Sequence, residues 1–189
     1  LLVSLKEECG VLSMVMLGND DFATHQTRLE GECARLGLVT LHGRSVTIGN
    51  TAFAGCSCVS FTPFRLKDWE LPDRQDEPPR PGCSDDTRDG TWRTVPPMAE
   101  GSVAECLEGL LLERAREHVL VAHAPPYDTS LDRLWDGEAA GSLAVLEFLR
   151  ARQPTVSFHG HIHESPSVSG RWAEAVGKTL AIQPGQTPE

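Results

Sequence analysis

Basic residues are in short supply. Only 17 Lys and Arg stand against 27 Asp and Glu in 189 residues, a formal net charge of −10. That balance argues against a protein that grips nucleic acid or an anionic membrane by bulk electrostatics. Long apolar runs are missing too: no stretch approaches the roughly 20 apolar residues that a membrane-spanning helix needs. Six cysteines are present, yet they form no zinc-type quartet, because Cys56 and Cys58 are a close pair with no second pair to answer them. Cys9, Cys33, Cys83 and Cys106 are scattered. Most of the six read as buried or free thiols of a reducing compartment, which makes a cytoplasmic protein the expectation. There is no initiator Met. Leu1 falls inside what reads as an element, so a fragment is expected and the lack of a signal peptide is uninformative.

What is present is ordinary globular material. Hydrophobic residues make up 40% and charged residues 23%, and the length suits one domain, residues 1–189, with a substantial core. Residues 1–8 read as the tail of a helix, with Gly10 as its C′ residue. Residues 11–17 (VLSMVML) have the almost wholly apolar pattern of a strand buried on both faces, and run into the polar turn Gly18-Asn19-Asp20-Asp21. From Thr24 as N-cap, Leu29, Cys33 and Leu36 fall at helical spacing as far as Gly37. Residues 38–42, 45–48 and 51–56 then predict a β-meander.

The character changes over residues 62–97, which hold seven of the 13 prolines among many charges. A long irregular loop is predicted there, extending to about residue 100, with Trp69 and Trp92 placed to pin its ends to the body. Next comes a helix to about residue 117, with Val103, Leu107, Leu110, Leu111 and Arg114 on one face. A strand over 119–122 ends at His123, because Pro125 and Pro126 cannot continue it. Ser142 is placed to cap a helix with Leu143, Leu146 and Leu149 inward, and strands are expected over 155–158 and 178–182. The order β-α-β-β-β-loop-α-β-α-β-β is an α/β pattern.

Three sites fall at the ends of apolar runs, where open α/β sheets form ligand sites. They are Gly18-Asn19-Asp20-Asp21, His123, and His159-Gly160-His161-Ile162-His163. In an extended segment, side chains at i and i+2 point the same way, so His161 and His163 are expected to converge. Neutral imidazole is a ligand for Zn, Mn and Fe. Each site has a plainer alternative. The histidines fit an exposed polar loop, Asn19 a turn residue, Asp20 and Asp21 helix caps, and His123 a packed histidine. His159 reads as structural, Glu164 as a partner for a ligand imidazole or a solvated acid, and His25, His42 and His118 as surface residues. The joint occurrence of the three sites is what favours metal.

In order and separation these motifs, G-N-D-D at 18–21, H-A-P-P at 123–126 and G-H-I-H at 160–163, resemble those of the calcineurin-like metallophosphoesterase family. Residues 123–185 resemble the C-terminal half of its bacterial and archaeal members nearly motif for motif. The resemblance implies a four-layer α/β/β/α sandwich, two divalent metal ions (Mn, Fe or Zn), and hydrolysis of a phosphorylated substrate. That substrate would be a small phosphodiester or phosphomonoester, or a phosphoprotein. It implies Asn19, His123 and His161 as ligands of one ion and His163 as a ligand of the other. Asp20 stands where the family usually has the His that protonates the leaving group, and is the catalytic candidate. Gln183 replaces a more usual Asn before Pro-Gly. The family's D-x-H and G-D-x-x-D motifs are not found upstream of Gly18, so the first β-α-β unit is read as missing. For that reason a non-catalytic or degenerate metal-binding relative of the same fold is the alternative. The loops over 62–97 and 127–141 are expected to flank the site and set specificity.

Overall fold

The computed structural model describes residues 2–78, 84–95, 100–110 and 115–186. Helix α1 (Leu2–Cys9) leads to strand β1 (Met14–Val15), a 3-10 turn (Ala23–His25) and α2 (Gln26–Leu36). Strands β2 (Val39–Thr40), β3 (Arg44–Ile48) and β4 (Thr51–Cys56) follow, then the hairpin of β5 (Ser84–Asp86) and β6 (Arg93–Val95). The second half runs α3 (Val103–Glu108), β7 (Glu117–Ala122), α4 (Leu143–Arg152), β8 (Val156–Phe158), α5 (Ser165–Ser169), β9 (Ala173–Val176) and β10 (Thr179–Ile182). At the centre is a six-stranded mixed sheet in the order β3-β4-β7-β8-β10-β9. Its inner strands β4, β7, β8 and β10 are parallel, while β3 and β9 pair antiparallel at the two edges. The chain is α/β, as its alternation predicts. Parallel pairing brings the carboxyl ends of β7 and β8 to one side of the sheet, and His123 and His159 each follow directly.

Alternate residues of the inner strands build the core. Ala54 and Cys56 of β4, Leu120 and Ala122 of β7 and Ala181 of β10 bury against Val103 and Leu107 of α3 and Val145, Leu146, Phe148 and Leu149 of α4. A fully buried Leu or Val contributes about 1.5–3 kcal/mol relative to exposure, so this cluster is the main source of stability around the strand ends. Ser142 caps α4 as its sequence predicts, its hydroxyl accepting from Val145 N at 3.2 Å. Leu146 and Leu149 face inward, but Leu143 in the first turn is exposed, and Val145 and Phe148 take the remaining buried positions. Helix α3 stops at Glu108, shorter than its pattern predicts, and Leu111 and Arg114 lie outside the described residues. Cys83 does as well.

Four expectations need correction. The apolar run at 11–17 gives a strand of only two residues, and Val11 and Leu12 are 46% and 41% exposed. Among the described residues β1 pairs with β2 alone, and Met14 and Val15 are half-buried. The meander is likewise incomplete: β3 and β4 form a hairpin, but β2 joins β1 in a separate parallel ladder. Thr24 does not cap α2. It lies in the 3-10 turn, its N–H donates to Thr87 Oγ1 at 3.3 Å, and α2 starts at Gln26 without a side-chain cap. Gly37 does close α2, in the left-handed conformation that glycine adopts most readily.

The fourth correction concerns residues 62–97. Strands β5 and β6 and several buried carboxylates organise this stretch, and residues 79–83 and 96–97 lie outside the description. Asp68 accepts from Thr87 N at 2.7 Å and Ala23 N at 2.8 Å. Glu70 accepts from Thr62 N at 2.9 Å and Lys67 Nζ at 2.7 Å. Asp73 accepts from Ser60 Oγ at 2.9 Å and Leu143 N at 2.7 Å, and also binds Ser142 Oγ. These acids are therefore acceptors for backbone N–H groups, those of Thr62 and Thr87 among buried atoms. The tryptophans behave as expected. Trp69 donates its indole N–H to Asp21 O at 2.9 Å, and Trp92 packs edge-on against Phe22 with centroids 5.3 Å apart.

Candidate metal centre

Three of the four expected ligands meet at one atom. Asn19, which is buried, directs its amide oxygen to His123 Nε2 at 2.9 Å and to His161 Nδ1 at 2.9 Å. The two imidazole rings are tilted to each other, with centroids 5.4 Å apart. Donor atoms about 2.1 Å from one ion and at right angles to each other are about 3 Å apart. The spacing and the donor set, one amide oxygen and two imidazole nitrogens, thus fit a shared ion of the Mn, Fe or Zn type.

Local packing explains why these rings converge. His123 follows β7, its N–H bonded to Cys56 O at 2.8 Å and its carbonyl to Gly160 N at 3.0 Å. Its ring lies between two glycines. A Cβ at Gly18 would stand 2.9 Å from both His123 Cε1 and Nε2, and one at Gly160 would stand 3.2 Å from Nδ1. Only hydrogen fits at Gly18 without displacing the ring. His159, buried as its structural reading requires, holds the backbone on both sides of His123. Its Nδ1 faces Ala124 O at 2.9 Å and Ala122 O at 3.2 Å, and Nε2 faces Ser157 Oγ at 2.8 Å. Two carbonyls at Nδ1 fix the tautomer: the proton is on Nδ1, and Nε2 accepts from the hydroxyl. Gln183 secures the next turn by donating to Gly160 O and, at 3.2 Å, to Ile162 O.

His161 and His163 are not presented by an extended segment. The chain bends at His161, whose φ is +67°, and turns at His163 and Glu164 before α5. A left-handed residue other than glycine costs about 1–2 kcal/mol, and here the bend turns the His161 ring onto Asn19. His163 is exposed and lines a cavity of about 290 Å³ with Met16, Leu17, Gly18, Asn19, Asp20, Asp21 and His123. Its ring nitrogens do not form a close three-histidine group with those of His123 and His161. None of the described residues of the 62–97 and 127–141 loops lines this cavity. The first loop reaches the site through Trp69, on the carbonyl of Asp21.

Burial, then repulsion from His123 and His163, pushes the His161 pKa down to about 4. Burial also lowers His123, helped by His163 and opposed by Asp20 and Asp21. Both rings are consequently neutral at pH 7, the form that ligates metal. Asp20 is exposed at the cavity and accepts from Asn19 Nδ2 at 3.1 Å. Asp21 is not a helix cap: its carboxylate accepts from Gly18 N at 2.8 Å and closes the turn.

A second group of donors escaped the sequence reading. His42, Cys58 and Cys106 bring one ligand atom each to within 4.8 Å of one another, a set that could hold a metal ion. The C-x-C pair was the one signal. Cys106 and His42 are distant in sequence and carry no motif, and His42 is not the surface residue expected, since its ring packs edge-on against Trp69 at 4.8 Å. His25 is exposed as read, and His118 is partly buried.

The chain shares its α/β fold with proteins of known structure. One crystal structure aligns at a TM-score of 0.62 and 20% identity over 97% of this chain, which spans 61% of that protein. The protein TT1561 of Thermus thermophilus aligns at 0.56 and 15% identity, covering 97% of this chain and 67% of its own. A Staphylococcus aureus protein assigned as a 5′-nucleotidase, in complex with alpha-ketoglutarate, aligns at 0.50 and 16% identity, covering 96% and 36%. At these identities the likeness is one of fold. No protein-family model matches the chain, and no curated protein does. No helix among the described residues is long and apolar enough to cross a membrane.

Proposed function

We propose that this chain carries the metal-binding half-site of a phosphoester hydrolase of the calcineurin-like metallophosphoesterase type, with the four-layer α/β/β/α sandwich of that family. The observation that carries the reading is the convergence of His123 Nε2 and His161 Nδ1 on Asn19 Oδ1 at 2.9 Å each. The likeness in fold to a protein assigned as a 5′-nucleotidase points the same way.

Asn19, His123 and His161 would hold one divalent ion, and His163 would be a ligand for the other. When bound, such ions supply positive charge to the phosphate oxygens and lower the pKa of water. The protein's own part is to present two rings kept neutral by burial. Gly18 and Gly160 leave room for the His123 ring between them, and His159 bonds the backbone on both sides of it. Asp20 lines the cavity and is the candidate to donate a proton to the leaving oxygen or to orient water or substrate. The substrate is a phosphorylated molecule able to enter an open cavity of about 290 Å³.

One observation favours a second reading, a degenerate metal-binding protein: among the described residues His163 does not group closely with His123 and His161. Elemental analysis after loading with Mn and desalting separates the two, together with hydrolysis of bis(p-nitrophenyl) phosphate. Close to two ions per chain with turnover supports the hydrolase, and one ion without turnover supports the degenerate site. In either case His161→Ala should abolish metal binding at the Asn19 centre. Unchanged metal content and hydrolysis in that variant would remove the proposed centre.

A further inference from the structure

Outside this site, three sulfurs and an imidazole meet. Cys56 ends β4, Cys58 follows it, Cys106 comes from α3, and His42 precedes β3. Cys56 Sγ donates to Cys106 Sγ at 3.3 Å and Cys58 Sγ donates to the same atom at 3.8 Å. Two chemistries suit such a group: ligation of a thiophilic metal ion, and oxidation of the thiols.

The tautomer of His42 decides between them. Its Nδ1 accepts the backbone N–H of Ser57 at 3.1 Å, so in the neutral ring the proton is on Nε2. A ring in that state has no lone pair left for a metal ion, and one of its nitrogens lies within 4.8 Å of the Cys106 sulfur. Both neighbouring thiols lie within hydrogen-bond reach of the Cys106 sulfur, an arrangement that can stabilise a thiolate there. We propose that Cys106 is a peroxide-reactive nucleophile that forms a disulfide with Cys56. The same hydrogen bonds, from Cys56 first and Cys58 second, hold Cys106 well below the ordinary thiol pKa and keep the proton on Cys56.

The chemistry balances in two steps. The Cys106 sulfur attacks one oxygen of hydrogen peroxide, an S–O bond forms as the O–O bond breaks, and the departing hydroxide takes a proton to become water. The Cys56 sulfur then attacks the resulting sulfenic sulfur, the S–S bond forms, and the S–O oxygen leaves as water with the thiol proton. The thiols are oxidised and the peroxide is reduced. Closing the sulfurs from 3.3 Å to the roughly 2.05 Å of a disulfide pulls on the end of β4. There the carbonyl of Cys56 holds His123 N at 2.8 Å. A second path runs from His42 through Trp69 to the carbonyl of Asp21. Oxidation of the cluster thus acts directly on the backbone of a proposed ligand.

The reduced full chain should be treated with hydrogen peroxide, quenched with iodoacetamide and mapped by peptide mass spectrometry. The expected product is a Cys56–Cys106 linked peptide lacking two hydrogens, with Cys106 consumed at least about tenfold faster than buried Cys33. In Cys56→Ser the link should pass to Cys58, and in Cys106→Ser no link should form among these residues. Three results would overturn the proposal: Cys106 consumed no faster than Cys33, its conversion to sulfinic acid without a link, or thiols protected by a co-purifying ion that Cys106→Ser releases. The mapping on unsubstituted protein stands even if a variant fails to fold, and none of these readouts depends on hydrolysis.

Discussion

Gly18→Ala is the most direct test of how the His123 ring is held. The added methyl would lie 2.9 Å from Cε1 and Nε2 and 3.4 Å from Cδ2, whereas relaxed carbon contacts are about 3.5–4.0 Å. Ring or turn must therefore yield by half an ångström to one ångström. On the other side the ring faces Gly160, where a methyl would lie 3.2 Å from Nδ1, so the space open to a retreating ring is the one that glycine's missing side chain leaves. Its Nε2 would leave the 2.9 Å position beside Asn19 Oδ1. Displacing a ligand on this scale costs about 10- to 100-fold in metal affinity, or about 1.4–2.7 kcal/mol. Overpacking should lower folding stability by about 1–3 kcal/mol. Calorimetric titration with Mn(II) measures the first quantity and urea unfolding the second. Gly31→Ala is the control. Gly31 lies within α2, its added methyl meets nothing within 4 Å, and the substitution should stabilise the fold by about 0.4–1 kcal/mol with affinity unchanged. If Gly18→Ala binds Mn(II) within twofold of the unsubstituted chain, the glycine cradle does not position His123.

Two further outcomes follow from buried polar contacts. His159→Phe should lower the unfolding free energy by about 2–4 kcal/mol, since the carbonyls of Ala122 and Ala124 and the Ser157 hydroxyl lose their partner; a urea-melt change below about 1 kcal/mol would count against the clasp. Burial raises the Asp86 pKa, but hydrogen bonds from Arg88 outweigh it and hold the carboxyl below its ordinary 3.8. A group depressed in the folded state stabilises fully above its unfolded value and loses that contribution as pH falls through the folded one. The stability gap between the unsubstituted chain and Asp86→Asn should accordingly be constant above about pH 5 and shrink below about pH 4, and a gap that persists at low pH in urea melts would refute it.

The strand-end positions were legible because each apolar run stops at a residue that cannot prolong it, such as Pro125 after His123 or Gly160 after His159. Helix α4 was legible through Ser142 and its leucines. The sheet order was not, because whether β2 joins β3 or β1 depends on contacts remote in sequence. The acids of residues 62–97 misled for a related reason: Asp68 and Asp73 have the composition of a solvated loop, and only folding shows which backbone N–H groups they meet. His161 was placed at the site, but by an extended geometry that the bend replaces. Cys106 and His42 had no local pattern to betray them, as they meet only when α3 packs over the end of β4.

The left-handed backbone at His161 has an evolutionary consequence. Glycine is the residue most at ease in that conformation, so His161→Gly would relax the bend while deleting the ring that reaches Asn19. Selection for thermal robustness alone would favour that exchange, whereas selection for metal would oppose it. Under the proposed metal centre, relatives that have given up metal should be the ones in which the strain has been released.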